Sequence, residues 1–568
     1  MNEIKGSKIP RISFTHVHAM KTRFIAVLCA ITLGAAPATQ TFAMPQNTPN
    51  PNPITQMQQM TLEQKIGQVM LVGFDGTSLT RELRKMMNDI RPGGIIIFER
   101  NVQSPRQLAE LIAGLQDMAR ANGSPPLFVA IDQEGGTVAR LRESRGFTEY
   151  PSAMAIAATG DPANASAAAH LAASELRALG FNINFAPVLD VNNNPRNPVI
   201  AQRSFGSDPA QVAQFGVAYI QALQADGILA VGKHFPGHGD VMTDSHASLP
   251  NVPYARERLD AVELAPFRAA IRASVAGIMT AHITFPELDA DKNLPATLSS
   301  AILQNILRGQ MGFDGLIFSD SLDMGALADS GHPLPGAAGE SLAAGADVLD
   351  FNTDAALLRR VKKDMLARAE ADPAFITRLD EAVTRILRAK NLLSFGEELG
   401  ADDLDLVGSA QNRATAQDLA NKAITLVKDD AALVPLAPSA KVLVVETPQA
   451  NGLGKLLGAT AHHVGEKPGL LEIRRAIAAA KNKTLIVVAT SDVAKNPAQA
   501  NLVDELMNAG LPVIVAAVRS PYDLVHLRRE PAAYLASYGS SPLMLRALAD
   551  VLSGRRVAQG HLPVELGR

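Results

Sequence analysis

The sequence predicts an α/β protein: a (β/α)8 TIM-type barrel followed by a smaller α/β domain. Three observations carry this expectation. Eight short apolar runs alternate with helix-like stretches over roughly 290 residues, the size of one such barrel. The runs are continuous rather than alternating, as in parallel strands buried on both faces. Polar residues gather at the C-terminal ends of the runs, which in a barrel form one rim, where active sites lie.

The runs are MLVGF (70–74), GGIIIF (93–98), LFVAID (127–132), INFAPVLD (183–190), ILAVGKHF (228–235), AGIMTAHI (276–283), LIFSDSL (316–322) and ADVLDF (346–351). Helix-like segments separate them, such as SPRQLAELIAGLQDMARANG (104–123) and PAQVAQFGVAYIQALQADG (209–227). Each of these starts after Ser or at Asp-Pro and ends near a Gly, the usual start and stop chemistry. Asp132, Asp190, Lys233, His234, His282, Asp320 and Asp350 fall at run ends and therefore on the expected rim.

Beyond Leu399 the pattern changes. Residues 399–422 read as a linker and helix. KVLVVET (441–447), TLIVVATS (484–491), LPVIVAAV (511–518) and AAYLASYG (532–539) then read as strands of a second, mostly parallel sheet. PGLLEIRRAIAAAKN (468–482) and SPLMLRALADVLSG (541–554) supply helices. No glycine-rich phosphate fingerprint follows a strand there, so nucleotide binding is not expected.

The N-terminus reads as an export signal rather than as part of the fold. From Met20, a basic start (Lys21, Arg23) precedes an apolar stretch from Phe24 to about Ala36 and a small-residue region ending at Ala43. Residues 1–43 are expected to be removed, which directs the protein to the periplasm or outside. The apolar run falls short of the ~20 residues that a membrane span needs, so no stable membrane insertion is expected. Cys29, the sole cysteine, lies in this segment. The mature chain would carry no thiol, which excludes disulfides and cysteine catalysis. Bulky Leu28 before Cys29 argues against lipidation. Residues 44–59, rich in Pro, Asn and Gln, read as a linker, and residues 60–398 as the barrel.

With 568 residues and 47% hydrophobic content, the chain can bury two cores. The net charge of −3 leaves no broad basic field of the kind nucleic-acid binders use, and the absence of Trp with only 4% aromatic residues weakens the case for stacking platforms.

The stretch KHFPGHGDVMTDSH (233–246) offers two chemistries. His234, His238 and His246 could hold a metal, but FPG between the first two disfavours the helix that would align them. Asp244 and His246, two apart, share one side of an extended segment. A carboxylate there orients the imidazole and raises its pKa, making a proton donor and acceptor near neutral pH, or simply staples the loop. Asp320, ending the seventh run in GFDGLIFSDSLDMGAL, is a carboxylate able to attack a sugar's anomeric carbon. Asp323 reads as a helix-start residue. In AIDQEGGTVARLR, Asp132 ends the third run, Gly135 and Gly136 admit close backbone approach, and Arg140 pairs with Asp132 or with another rim carboxylate.

These motifs resemble the β-N-acetylhexosaminidases of glycoside hydrolase family 3, in their β-N-acetylglucosaminidase branch. The resemblance runs through DQEGGTVARL, NFAPVLDV, RSFGSDP, KHFPGHGD with DSH, IMTAHI, PATLSSAILQNILRGQMGFDGLIFSDSLDM and AGADVLDF, nearly the whole barrel. AITLVKDDAALVPL (423–436) and GHLPVEL (560–566) resemble the two ends of that family's C-terminal α/β sandwich domain, placing it at 423–568. The resemblance implies Asp320 as nucleophile and His246 with Asp244 as the acid/base dyad. It implies Asp132, Arg140, Arg203, Lys233 and His234 as contacts to the sugar in the −1 subsite. The implied partner is a small N-acetylglucosamine-containing glycan, with neither metal nor organic cofactor. Thr137 departs from the branch, which usually has Arg there, and it either touches substrate or braces its loop. A phosphorylase, a β-glucosidase and a non-catalytic glycan-binding protein are the alternatives on the same scaffold.

Overall fold

The computed structural model describes residues 52–243, 248–393 and 403–566. Eight parallel strands run in chain order: β1 (Met70–Val72), β2 (Gly94–Ile97), β3 (Phe128–Ile131), β4 (Ile183–Asn184), β5 (Leu229–Phe235), β6 (Gly277–Thr280), β7 (Leu316–Phe318) and β8 (Leu349–Phe351). β1 pairs with both β2 and β8. The seam between β7 and β8 closes through a parallel bridge of Phe318 with Val348, so the sheet is a barrel. Nearly every residue in these strands is buried, because the barrel interior covers one face and the helices cover the other.

The two helices singled out in the sequence run Pro105–Ala121 and Pro209–Ala225. Ser104 and Asp208 cap them by accepting from the N–H groups of Gln107 and Ala210.

The fourth strand is shorter than its apolar run suggests. Regular pairing covers only Ile183 and Asn184, and Pro187, which lacks a donor, interrupts the ladder beyond them. Side-chain amides take over the bonding. Asn182 Oδ1 accepts from the Val129 N–H at 2.8 Å, and Asn184 Oδ1 accepts from the Gln133 N–H at 3.0 Å. Toward β5 backbone bonding continues: the Val231 and Lys233 N–H groups donate to the Ala186 and Pro187 carbonyls at 3.1 and 3.2 Å, and the Leu189 N–H donates to the Lys233 carbonyl at 2.7 Å.

The expected linker at 44–59 contains a short helix, Pro53–Gln58, within its described part. Proline at the first helical position and the Asn52 side chain, which accepts from the Ile54 N–H, start it, and Met57 is buried.

The second domain is a six-stranded sheet: β9 (Thr425–Asp429), β10 (Val442–Glu446), β11 (Thr460–His463), β12 (Leu485–Thr490), β13 (Val513–Ala517) and β14 (Ala533–Ala536). The spatial order is β11-β10-β12-β13-β14-β9, parallel except for β9 against β14. The four expected strands are its centre. The two edges, β9 and β11, are half-buried or exposed and polar, so they lack the continuous apolar run that marks the others.

Candidate active site

The rim over β3, β5 and β7 brings together most of the residues that the sequence nominates. Asp132 follows β3 directly, and Lys233 and His234 lie in β5. The Lys233 ammonium donates to Asp132 Oδ1 at 2.7 Å and sits 2.6 Å from Glu134 Oε1. Arg140 Nη2 donates to Asp132 Oδ2 at 3.1 Å, which settles its partner. Arg203, ending the turn Ala201–Arg203, grips Glu134 with two bonds of 2.8 Å from Nε and Nη2. The side chains of Lys233 and Glu134 are only 2% and 4% exposed, so each needs its partners to stay charged.

Burial alone would raise the Asp132 and Glu134 carboxyls. The adjacent cations outweigh it, Lys233 and Arg140 for Asp132, Arg203 and Lys233 for Glu134, and both carboxyls are held below their ordinary range. Burial likewise works against the Lys233 and Arg203 cations, but the carboxylates around them raise both pKa values.

His234 is oriented by Asp190, which follows β4. Asp190 Oδ2 lies 2.7 Å from His234 Nδ1, and Asp190 Oδ1 accepts from the His234 and His238 N–H groups at 3.1 and 2.7 Å. Arg203 Nη2 lies 3.4 Å from His234 Nε2. The peptide bonds Lys233–His234 and Phe235–Pro236 are cis. His238 packs edge-on to His234, with ring centroids 5.6 Å apart. Burial and the His234 ring push its pKa down to about 4. Among the described residues no group of three metal-ligating side chains is assembled, and His234 is committed to Asp190.

Asp320 follows β7 and is half-buried at the rim. Its N–H approaches Thr280 Oγ1 at 3.4 Å, and its Oδ1 accepts from the Ser321 N–H at 2.8 Å. Burial would raise its pKa, but His282, His234, the Ser321 N–H and Lys233 together hold it below the ordinary value. His282 is fixed between the Thr297 hydroxyl at 2.8 Å and the Ser321 carbonyl at 3.0 Å, so it also anchors the loop that carries Asp320. The result is a carboxylate ionised at neutral pH beside a row of hydrogen-bonding groups.

Asp323 does not start a helix. It accepts from the Ser321 hydroxyl at 2.8 Å and the Asn352 N–H at 2.7 Å, tying the β7 loop to the end of β8, while Met324 precedes the short helix Gly325–Asp329. Thr137 braces its loop, accepting from Gln202 Nε2 at 3.0 Å beside Arg203. Asp244 and His246 lie outside the described residues.

Glu134 is the residue that sequence reasoning passed over. The available signal was its spacing from Asp132, since residues two apart in an extended segment face the same side.

The family model for the N-terminal domain of glycosyl hydrolase family 3 matches residues 61–389. A β-hexosaminidase A of Pseudoalteromonas piscicida is 38% identical over 65% of this chain, and the match spans 64% of that relative's length. A β-hexosaminidase of Alkalilimnicola ehrlichii is 42% identical over 49% of this chain and 79% of its own. Among solved structures, a family 3 β-N-acetylglucosaminidase from Paenibacillus sp. superposes with a TM-score of 0.82 at 36% identity, covering 89% of this chain and 99% of that one. A β-glucoside phosphorylase superposes with a TM-score of 0.78 at 25% identity, covering 91% of this chain and 97% of that one. The chain belongs to glycosyl hydrolase family 3 and is a glycoside hydrolase of the family's β-hexosaminidase type.

Proposed function

We propose that the protein is an exported, retaining exo-β-N-acetylglucosaminidase. Its substrates would be terminal β-linked N-acetylglucosamine units of cell-wall muropeptide sugars or chitooligosaccharides. The observation that carries this reading is the ionised Asp320 carboxylate at the end of β7, beside the Asp132–Lys233–Glu134–Arg203 network and His234. In it, the network's remaining donors and acceptors hold the hydroxyls of the −1 sugar. The Paenibacillus neighbour, a β-N-acetylglucosaminidase, supports the N-acetyl sugar, and the motif DSH at 244–246 supports a histidine acid.

The chemistry runs in two steps. Asp320 attacks the anomeric carbon while the bond to the leaving oxygen breaks, and His246, oriented by Asp244, gives that oxygen its proton. His246 then takes a proton from water, whose oxygen attacks the same carbon and releases Asp320. Two inversions leave the β configuration. Export rests on the pattern at residues 20–43. A second reading, phosphate in place of water, is favoured by the phosphorylase neighbour and by an acid that carries no negative charge.

The test is to give the purified protein aryl β-N-acetylglucosaminide and aryl β-glucoside in phosphate-free buffer, with proton NMR of the first product, and to repeat it with added phosphate. The N-acetyl substrate should be cleaved to the β-anomer in both buffers. Cleavage of the glucoside alone refutes the sugar assignment. A first-formed α-anomer refutes the nucleophile, and sugar 1-phosphate as the main product refutes water as the acceptor.

A further inference from the structure

The barrel mouth holds a carboxyl to which the mechanism above gives no task. Asp350 is the central residue of β8, in register with Leu71 of β1. Its backbone is fully committed. Its N–H donates to Ser319 Oγ at 2.9 Å, and its carbonyl accepts from the Leu322 N–H at 2.9 Å. Its side chain is not. Asp350 is 3% exposed, yet its Oδ1 has no hydrogen-bond partner. Val348, two residues earlier, bridges Phe318, whose ring meets that of Phe185 across the barrel, so Asp350 shares that inward-facing side, and its carbonyl's bond to Leu322 sets it beside the loop that carries Asp320 and Asp323. Lys233 and Arg140, the nearby cations of that face, are spent on Asp132.

Leaving a buried polar atom without a partner costs free energy, which a bound ligand relieves if it brings the missing bond. We propose that Asp350 is a further sugar-contacting residue, whose Oδ1 bonds a hydroxyl of the same pyranose ring that Asp320 attacks. This rests on the glycosidase reading above. Burial, then the repulsion of Asp132, Asp320 and Asp323, holds the Asp350 carboxyl far above the ordinary range, and the Phe351 N–H only partly opposes it. Burial and repulsion both favour its protonated form. In that form it offers one O–H donor and one carbonyl acceptor, the same pair that a sugar hydroxyl offers in return. An ionised carboxylate, by contrast, would add a second negative charge beside the nucleophile.

The experiment compares the full-length wild type with Asp350→Asn and Asp350→Leu on aryl β-N-acetylglucosaminide and on its 3-, 4- and 6-deoxy analogues. Asp350→Asn keeps a neutral donor and acceptor and should stay within about threefold of wild type in kcat/KM. Asp350→Leu leaves the sugar hydroxyl unpaired and should lose about 10- to 200-fold on the parent substrate. On one deoxy analogue that loss should vanish, because the partner hydroxyl is already missing. The proposal is overturned if folded Asp350→Leu matches wild type on the parent, or loses the same factor on every analogue. If Asp350→Leu does not fold, a loss above about 100-fold in Asp350→Asn overturns it, since that points to a required charge. A wild type inert toward all four substrates defeats the glycosidase reading itself, and the Asp350 contact with it.

Discussion

Lys233 is buried with its ammonium 2.7 Å from Asp132 and 2.6 Å from Glu134. With the lysine in place, both carboxyls titrate below their ordinary values, so their contribution to stability is present at neutral pH and is lost as pH falls. Lys233→Met removes one cation from both and leaves Arg140 on Asp132 and Arg203 on Glu134 to work against burial and mutual repulsion. Both carboxyls then rise from their wild-type values, so the penalty is largest at neutral pH and shrinks in acid. Removing one partner of a buried pair costs about 3–5 kcal/mol, so the variant should melt well below wild type at pH 7 and lose markedly less once the pH falls below the unfolded carboxyl pKa of about 4. Thermal melts at pH 7 and below that pKa check this, and equal losses would contradict it. Asp132, Lys233, His234 and Asp320 were legible in the sequence because each ends a continuous apolar run, and strand direction alone places such residues on the rim. Glu134 was legible only through its two-residue spacing from Asp132, because it lies past the strand, and its role depends on Arg203 arriving from a turn 69 positions later. Asp190 was legible as a rim residue, but its hold on His234 depends on the irregular path around Pro187.

At the scale of the element, the loop after β5 is defined by how closely its backbone approaches β4's extension. A side chain at Gly239 would place its Cβ 1.8 Å from the Val191 carbonyl oxygen, and at Gly237, where φ is +142°, 2.8 Å from the Glu263 side chain. Asn197 Nδ2 donates to the carbonyls of both His238 and Gly239, pinning the same turn. This loop leads directly to residues 244–246. Gly239→Ala cannot be absorbed by a side-chain rotation, since the clash is with backbone. It should lower kcat/KM at least tenfold, with a larger loss on alkyl glycosides, which in the proposed mechanism need the proton from His246, than on activated aryl glycosides. Equal rates for variant and wild type would show that the loop's path does not matter. Why FPGHG packs this way was not legible, because the contact partners Val191 and Glu263 are distant in sequence. The buried central strands of both sheets were legible for the opposite reason: a continuous run of Val, Ile and Leu needs no partner to be recognised. The edge strands β9 and β11 carry TLVKD and TAHH and give no such signal.

The two domains share packing. Met154, Ala155 and Ala158 of the barrel-side helix Ala153–Ala158 are buried in the core of the second domain. Asn192, on the rim after β4, donates to the Tyr522 hydroxyl at 3.0 Å, and the Ser207 N–H and Gln211 Nε2 both donate to the Pro563 carbonyl. A change in the second domain therefore reaches the barrel. Asp523 provides the handle. It accepts from the Val493 N–H and the Thr490 hydroxyl, but burial dominates and pushes its carboxyl up to about 7. The unfolded value is about 3.9, so its stabilising contribution is full below that and is lost as pH rises through about 7. Asp523→Asn removes the charge, keeps the Val493 bond through its amide oxygen and reverses the Thr490 bond, its amide N–H donating to the hydroxyl oxygen. It should raise Tm at pH 8 with little gain at pH 4, and the loss of glycosidase activity on heating should shift with it. A higher Tm for the second domain alone, with activity lost at the wild-type temperature, would show that the domains unfold separately. The most direct test of the whole account is the identity of the nucleophile. The protein would be treated with a slow N-acetylglucosaminyl fluoride carrying a second fluorine at ring carbon 5, then digested and read by mass spectrometry. The account predicts one glycosyl adduct, on the peptide containing Asp320, and none in Asp320→Asn. An adduct on another peptide, or turnover of the reagent by Asp320→Asn at the wild-type rate, would contradict it.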